Sequence, residues 1–260
     1  MKFIPNLLTL FNLFLGCMAI VFILQTGESL VMQNDLGTWV AQMPERIWWG
    51  SACIGLAAVI DFFDGFVARW LKAESPLGKQ LDSLADVVSF GVAPGMILYQ
   101  LLRISFIQEE TALDTSLAAL VPAFIFPCAG AYRLGRYNLD TSTGTGFKGV
   151  PIPAAGLVVA SLPLIVFYNY FDSTTLLLNK WVLYSIILIL SWLMTSRIPM
   201  LALKFNSSSV KNNLPAIILL VAGLVAAFLL EWMAVPVIFV VYILVSLIFK
   251  TKHDDLLRSG

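Results

Sequence analysis

The chain alternates between long apolar runs and short polar connections. A helix needs about 20 mostly apolar residues to cross a bilayer. Eight stretches meet or approach that length: about 5–25, 48–71, 82–103, 116–138, 153–171, 181–199, 214–230 and 234–250. The pattern predicts an all-α, polytopic membrane helix bundle of about eight transmembrane helices. No stretch has the character of a separate soluble domain, so residues 1–260 are read as one integral membrane domain. Its core would cover about 1–200, with two further helices and a short polar tail over 201–260. The first apolar run lacks a small-residue cleavage site and is too long for a signal-peptide core, so it is read as a retained span. Pro5, Pro151 and Pro153 stand near the starts of two spans, where a missing N–H loses no partner. The run Gly91-Val92-Ala93-Pro94-Gly95 falls inside the third span and predicts a bend and a close helix approach.

Composition supports the membrane reading. Of the 260 residues, 59% are hydrophobic and 12% charged, against roughly 45–50% and about 25% in a soluble domain. The formal net charge is zero, so there is no broad basic field for nucleic acid. Of the sixteen Lys and Arg, only Arg46, Arg103 and Lys180 fall on the side away from the N-terminus. That asymmetry predicts both termini in the cytoplasm, in a membrane of the bacterial inner type. Cys17, Cys53 and Cys128 lie in apolar runs without CxxC spacing, and the single histidine, His253, is in the C-terminal tail. A His-based metal site or a Ser-His-Asp triad within the bilayer is therefore excluded.

The polar positions that stand out are four aspartates within residues 61–86. Residues three or four apart share a helix face. Asp61, Asp64, Gly65 and Ala68 therefore line one stripe of the second span, and Asp82 and Asp86 one stripe of the third. The stretch at about 72–81 holds Ser75, Pro76 and Gly78 and should turn the chain back. The two helices become antiparallel neighbours, and their carboxylates meet at the cytoplasmic end. Four converging carboxylates repel unless a cation neutralises them. An all-oxygen ligand set suits Mg2+, Mn2+ or Ca2+ and disfavours Zn2+. Gly65 and Ala68 leave room beside the carboxylates, and Arg69 can hold an anion such as phosphate. A cation transporter is the competing class. Against it, no internal repeat is evident and the carboxylates sit at one membrane face rather than at midplane.

The pattern Asp61-x2-Asp64-Gly65-x2-Ala68-Arg69-x8-Gly78-x3-Asp82-x3-Asp86 resembles the complete signature of the CDP-alcohol phosphotransferase family. The resemblance implies a membrane enzyme that cleaves a CDP-linked lipid or alcohol, transfers the phosphoalcohol part to a second hydroxyl and releases CMP. It implies two Mg2+ or Mn2+ ions held by Asp61, Asp64 and Asp82. Asp86 would be the general base and can also touch a metal. Gly65, Ala68, Arg69, Ser75 and Gly78 would surround the nucleotide and diphosphate. The segment Pro5-Asn6-Leu7-Leu8-Thr9 resembles the start of the family's first helix, with Asn6 and Thr9 reaching the nucleotide. A homodimer is implied by the resemblance alone.

Three further stretches bear on the acceptor: Ser89–Gly95, Tyr132–Asn138 and Phe147–Ala155. They resemble the serine-accepting branch of that family. This implies CDP-diacylglycerol as donor, L-serine as acceptor, and phosphatidylserine and CMP as products. Glycerol 3-phosphate, inositol phosphate or choline are the alternative acceptors. Arg133, Arg136 and Lys148 are three cations on the aspartate side. They either express positive-inside topology or bind an anion, the serine carboxylate or the donor phosphate. Arg133 and Arg136, three apart, suit a shared anion. Lys148 lies in a Gly- and Thr-rich loop, Thr141 to Gly149, that can close over the site. Ser89 either touches the acceptor or fits a helix interface.

Overall fold

The computed structural model describes residues 3–25, 31–33, 39–41, 46–73, 75–107, 116–139, 147–169, 172–201 and 210–258. The long elements are helices: α1 (Phe3–Leu24), α2 (Ile47–Trp70), α3 (Pro76–Asp86) and α4 (Ala93–Ile107). After a four-residue α5 (Leu117–Leu120) come α6 (Ile125–Leu139), α7 (Ile152–Tyr168), the short α8 (Thr174–Leu177) and α9 (Lys180–Thr195). The last two are α10 (Val210–Leu230) and α11 (Ala234–Arg258). Two small antiparallel pairs join connections: β1 (Val31–Gln33) with β2 (Trp39–Ala41), and β3 (Phe147–Lys148) with β4 (Pro199–Met200).

Among the described residues, five helical stretches are long and apolar enough to cross a membrane: Phe3–Leu24, Ile47–Trp70, Pro76–Ile107, Leu117–Leu139 and Leu214–Phe249. The expectation of about eight full spans holds in part. Helices α7 and α9 are apolar but only 17 and 16 residues long. Leu214–Phe249 contains two expected spans joined by a 3₁₀ turn at Glu231–Met233. There α10 and α11 pack on each other, with Gly223 facing Ile238. Helix α7 is buried along most of its length and packs on α2, α4 and α11, as expected of a helix that is apolar all round.

The turn between α2 and α3 is shorter than the polar stretch at 72–81 suggests, because the helix restarts at Pro76. Ser75 is extended (φ −146°, ψ 151°), and its hydroxyl oxygen accepts a bond from the Gly78 N–H at 3.0 Å. A Ser N-cap followed by Pro in the first turn is a strong local start signal. An apolar-run criterion passes over those first polar turns. Lys72 takes a left-handed φ of 49° to reverse the chain.

Helices α3 and α4 form one stretch, Pro76–Ile107, interrupted by a π-helical segment at Val87–Val92. The close approach expected at Gly91–Gly95 is present, and it extends to Phe90. A Cβ on Gly156 of α7 would come within 2.8 Å of the Phe90 carbonyl oxygen. One on Gly95 would lie 3.1 Å from Pro127 of α6. The π segment also packs on α1, where a Cβ on Gly16 would lie 2.4 Å from Ser89 Oγ. Helix α1 runs along α2 and crosses α3. Three helices thus meet around the aspartates.

Candidate active site

Asp61 and Asp64 come from α2, Asp82 and Asp86 from α3. The antiparallel turn brings them together. Ligand oxygens of Asp61, Asp64 and Asp82 all lie within 4.8 Å of one another. The Asp61 and Asp86 carboxyls meet directly. Asp64 and Asp86 are buried, at 5% and 7% exposure, while Asp61 and Asp82 are half-buried. Asp86 Oδ1 is buried without a hydrogen-bond partner among the described residues. A buried carboxylate oxygen left alone is costly, so the arrangement calls for a positive or hydrogen-bonding group from outside the chain. The donor set is hard oxygen throughout, which fits Mg2+ or Mn2+.

A cavity of about 510 Å³ opens beside the carboxylates. Asn6, Thr9, Gly65, Ala68, Arg69, Ser75 and Gly78 all line it, together with Asp64 and Asp82. Ser75, Pro76 and Gly78 form the start of α3, so a helix N-terminus faces the cavity. The helix dipole favours an anion there. Arg69 and Lys79 add two cations to the lining. The lining thus combines positive side chains, a helix start and adjacent carboxylates that could hold a metal, which suits a polyanion such as a diphosphate. The glycines differ in purpose. A Cβ on Gly65 would meet no protein atom within 4 Å, so its room belongs to the cavity. One on Gly78 would lie 3.0 Å from Asn6 Oδ1, so this glycine lets α1 approach α3.

Several sequence-derived candidates take specific local partners. Thr9 lines the cavity, but its hydroxyl donates to Asp64 Oδ2 at 2.7 Å. Ser75 caps α3 as well as lining the cavity. Ser89 is fully buried and donates to the Asn12 carbonyl at 3.0 Å, in the seam between α1 and the π segment.

The three cations after α5 do not act as a group. Arg133 is buried at 5% exposure, within electrostatic reach of Asp86 and Tyr242, with its guanidinium 5.8 Å from the Tyr137 ring centroid. Its Nε has no hydrogen-bond partner among the described residues. Arg136 instead donates to the carbonyls of Thr195 and Ser196, both at 2.9 Å, at the end of α9. With Lys148, Arg197 and Leu139 it lines a separate hollow of about 380 Å³. Helical spacing placed both arginines on one side of α6, but the neighbours of each decide what it reaches. Lys148 is exposed, next to Gly149, whose N–H donates to the Ile198 carbonyl at 2.8 Å. Residues 141–146 of its loop lie outside the described residues.

Three residues had no role of their own in the sequence reading. Lys79 lines the cavity, with its ammonium 5.9 Å from the same Tyr137 ring that Arg133 approaches. Its position three before Asp82, on one helix face, was the available signal. Asn138, at the end of α6, donates to Ser83 Oγ of α3 at 2.8 Å and docks that end on the site. Asn12 approaches Asp61 Oδ1 through Nδ2 at 3.5 Å. Asn6, Thr9 and Asn12 recur every third residue in an otherwise apolar helix, a polar stripe that points inward.

Residues 2–196 match the family model described as CDP-alcohol phosphatidyltransferase. The chain is also similar to the CDP-diacylglycerol–serine O-phosphatidyltransferase of Helicobacter pylori (strain ATCC 700392 / 26695). The two are 32% identical over 247 residues, which cover 94% of this chain and 89% of that protein. The protein of the same description from Bacillus subtilis (strain 168) is 34% identical over 164 residues, covering 62% of this chain and 76% of its own length. That from Mycobacterium leprae (strain TN) is 34% identical over 199 residues, covering 71% of this chain and 61% of its own length.

Proposed function

The chain belongs to the CDP-alcohol phosphatidyltransferase family, and from that premise we propose that it transfers the phosphatidyl group of CDP-diacylglycerol to the hydroxyl of L-serine. The products are phosphatidylserine and CMP. The observation that carries the reading is the meeting of four carboxylates beside an anion-favouring cavity. Asp61, Asp64 and Asp82, with Asp86 adjoining, would hold two Mg2+ or Mn2+ ions. Bound there, such ions would neutralise the diphosphate and the oxygen of the departing CMP.

The chain's own groups do the rest. Arg69, Lys79 and the start of α3 hold the diphosphate, with Asn6 and Ser75 at the nucleotide. Gly65 and Ala68 keep the approach open. Asp86 accepts the proton of the acceptor hydroxyl. The serine oxygen then bonds to the lipid phosphorus as the phosphorus–oxygen bond to CMP breaks. The partner-free Oδ1 of Asp86 supports this role. Arg133, buried and within electrostatic reach of Asp86, suits the acceptor's carboxylate. The catalytic core comprises about residues 1–200, with the site at the cytoplasmic face.

A phosphorylated acceptor is the second reading, and the hollow lined by Arg136, Lys148 and Arg197 is the observation in its favour. One assay separates the two. Purified protein is given CDP-diacylglycerol, Mn2+ or Mg2+ and one acceptor at a time, and CMP release is followed. Release with serine alone is expected. Release with glycerol 3-phosphate, inositol phosphate or choline but not with serine would sink the serine assignment.

A further inference from the structure

Helix α1 brings two polar side chains against the metal-ligand carboxylates. Thr9 and Asn12 are three apart, on one helix face, and are 5% and 0% exposed. The Thr9 hydroxyl has two acceptors in reach: Asp64 Oδ2 at 2.7 Å and its own helix carbonyl, Pro5, at 3.1 Å. It has one hydrogen to give, and the shorter, charge-assisted bond to Asp64 is the stronger. Asn12 Nδ2 stands 3.5 Å from Asp61 Oδ1. Each polar residue of this turn thus addresses a different metal-ligand carboxylate.

The backbone of this turn is held independently. Ser89 donates to the Asn12 carbonyl at 3.0 Å. Gly16, one turn on, packs so closely that any Cβ would clash with Ser89. Packing alone does not account for Asn12. Its Oδ1 is buried with no partner among the described residues, and an apolar residue of similar size would avoid that loss.

Resting on the metal-dependent reading above, we propose that Thr9 and Asn12 are positioning residues of the metal centre. Thr9 aims the Asp64 carboxylate, Asn12 aims that of Asp61, and Ser89 holds Asn12 in place. Helix α1 then supplies the outer shell for ligands carried on α2. Groups of this kind fix the orientation of a ligand, and losing one typically weakens metal affinity about 10–100-fold.

The test is Mn2+ binding by the full-length protein in detergent without substrate, read from the EPR signal of free Mn2+. The variants are Thr9→Val, Thr9→Ser and Asn12→Leu. Thr9→Val and Asn12→Leu are expected to weaken Mn2+ binding about tenfold or more. Thr9→Ser keeps the donor and is expected to stay close to the wild type. If Asn12→Leu does not fold, the Val and Ser pair at Thr9 still decides. Unchanged affinity in Thr9→Val, or equal losses in Thr9→Val and Thr9→Ser, would overturn the inference and leave the metal reading standing. A wild-type protein that binds no Mn2+ would overturn both.

Discussion

Replacing Gly65 by alanine separates room in the fold from room for the ligand. Gly65 lies in the interior of α2 and lines the cavity, and a Cβ there meets no protein atom within 4 Å. The folded chain should accept the methyl group. Alanine is favoured over glycine in a helix interior by about 0.8–1 kcal/mol, so stability should hold or rise by up to about that amount. The added bulk acts on the ligand instead, one residue from Asp64. Displacing reacting groups by about 1 Å can cost on the order of 100-fold in rate, which is about 2.7 kcal/mol of barrier. We therefore expect kcat/KM for CDP-diacylglycerol to fall about 100-fold with Tm unchanged or higher. Gly16→Ala is the opposite control. Its Cβ would lie 2.4 Å from Ser89 Oγ and 2.8 Å from the Ser89 Cα. Relieving that overlap should cost about 1–3 kcal/mol and lower Tm. The assay is CMP release in detergent micelles beside thermal unfolding of the same preparations. Wild-type turnover in Gly65→Ala would show that the space beside Gly65 is not used by the ligand, and a Tm loss matching that of Gly16→Ala would show that the fold needs it.

Further outcomes follow from the same geometry. Asp86→Asn should lower kcat by about 10²–10⁴ in a protein that still folds; near-normal CMP release in a single turnover would remove Asp86 as the base. Arg69→Lys keeps the charge but loses the planar fork, so KM for CDP-diacylglycerol should rise about tenfold, and an unchanged KM would exclude paired donation to the diphosphate. Arg136→Met removes both 2.9 Å bonds to the end of α9 and should cost about 1.5–3 kcal/mol, seen as a lower Tm with little change in KM for serine. A large rise in that KM without loss of Tm would make Arg136 an acceptor ligand. Chelation by EDTA should stop CMP release and Mg2+ or Mn2+ should restore it; full turnover in EDTA would contradict a metal-dependent site.

Much of the site was legible because its signals are local. The meeting of Asp61 and Asp64 with Asp82 and Asp86 needs only helical periodicity and a turn, and Ser75-Pro76 marks where the second helix begins. The residues that α2 and α3 give to the cavity follow from the same two facts, since they lie on the same stripes or at the cap, while Asn6 and Thr9 come from α1. The fold was legible more coarsely. Apolar runs located the helices but overestimated α7 and α9, which end at Tyr168 and Thr195. Hydrophobicity marks what tolerates lipid, whereas a helix ends where its backbone finds other partners.

The sequence alone determined the membrane-bundle class, the antiparallel pair of aspartate-bearing helices and the chemistry their carboxylates suit. Tertiary structure decided what each lone polar side chain serves. Ser89 holds α1 at 77 residues' separation, Arg136 closes α9 at 59 and 60, and Asn12 reaches Asp61 at 49. Periodicity says which face of a helix a residue occupies, but not which helix that face meets. That depends on packing between distant segments, here set by the glycines at 16, 91, 95 and 156. Hydrogen bonds then form only between groups that this packing has brought within reach of one another.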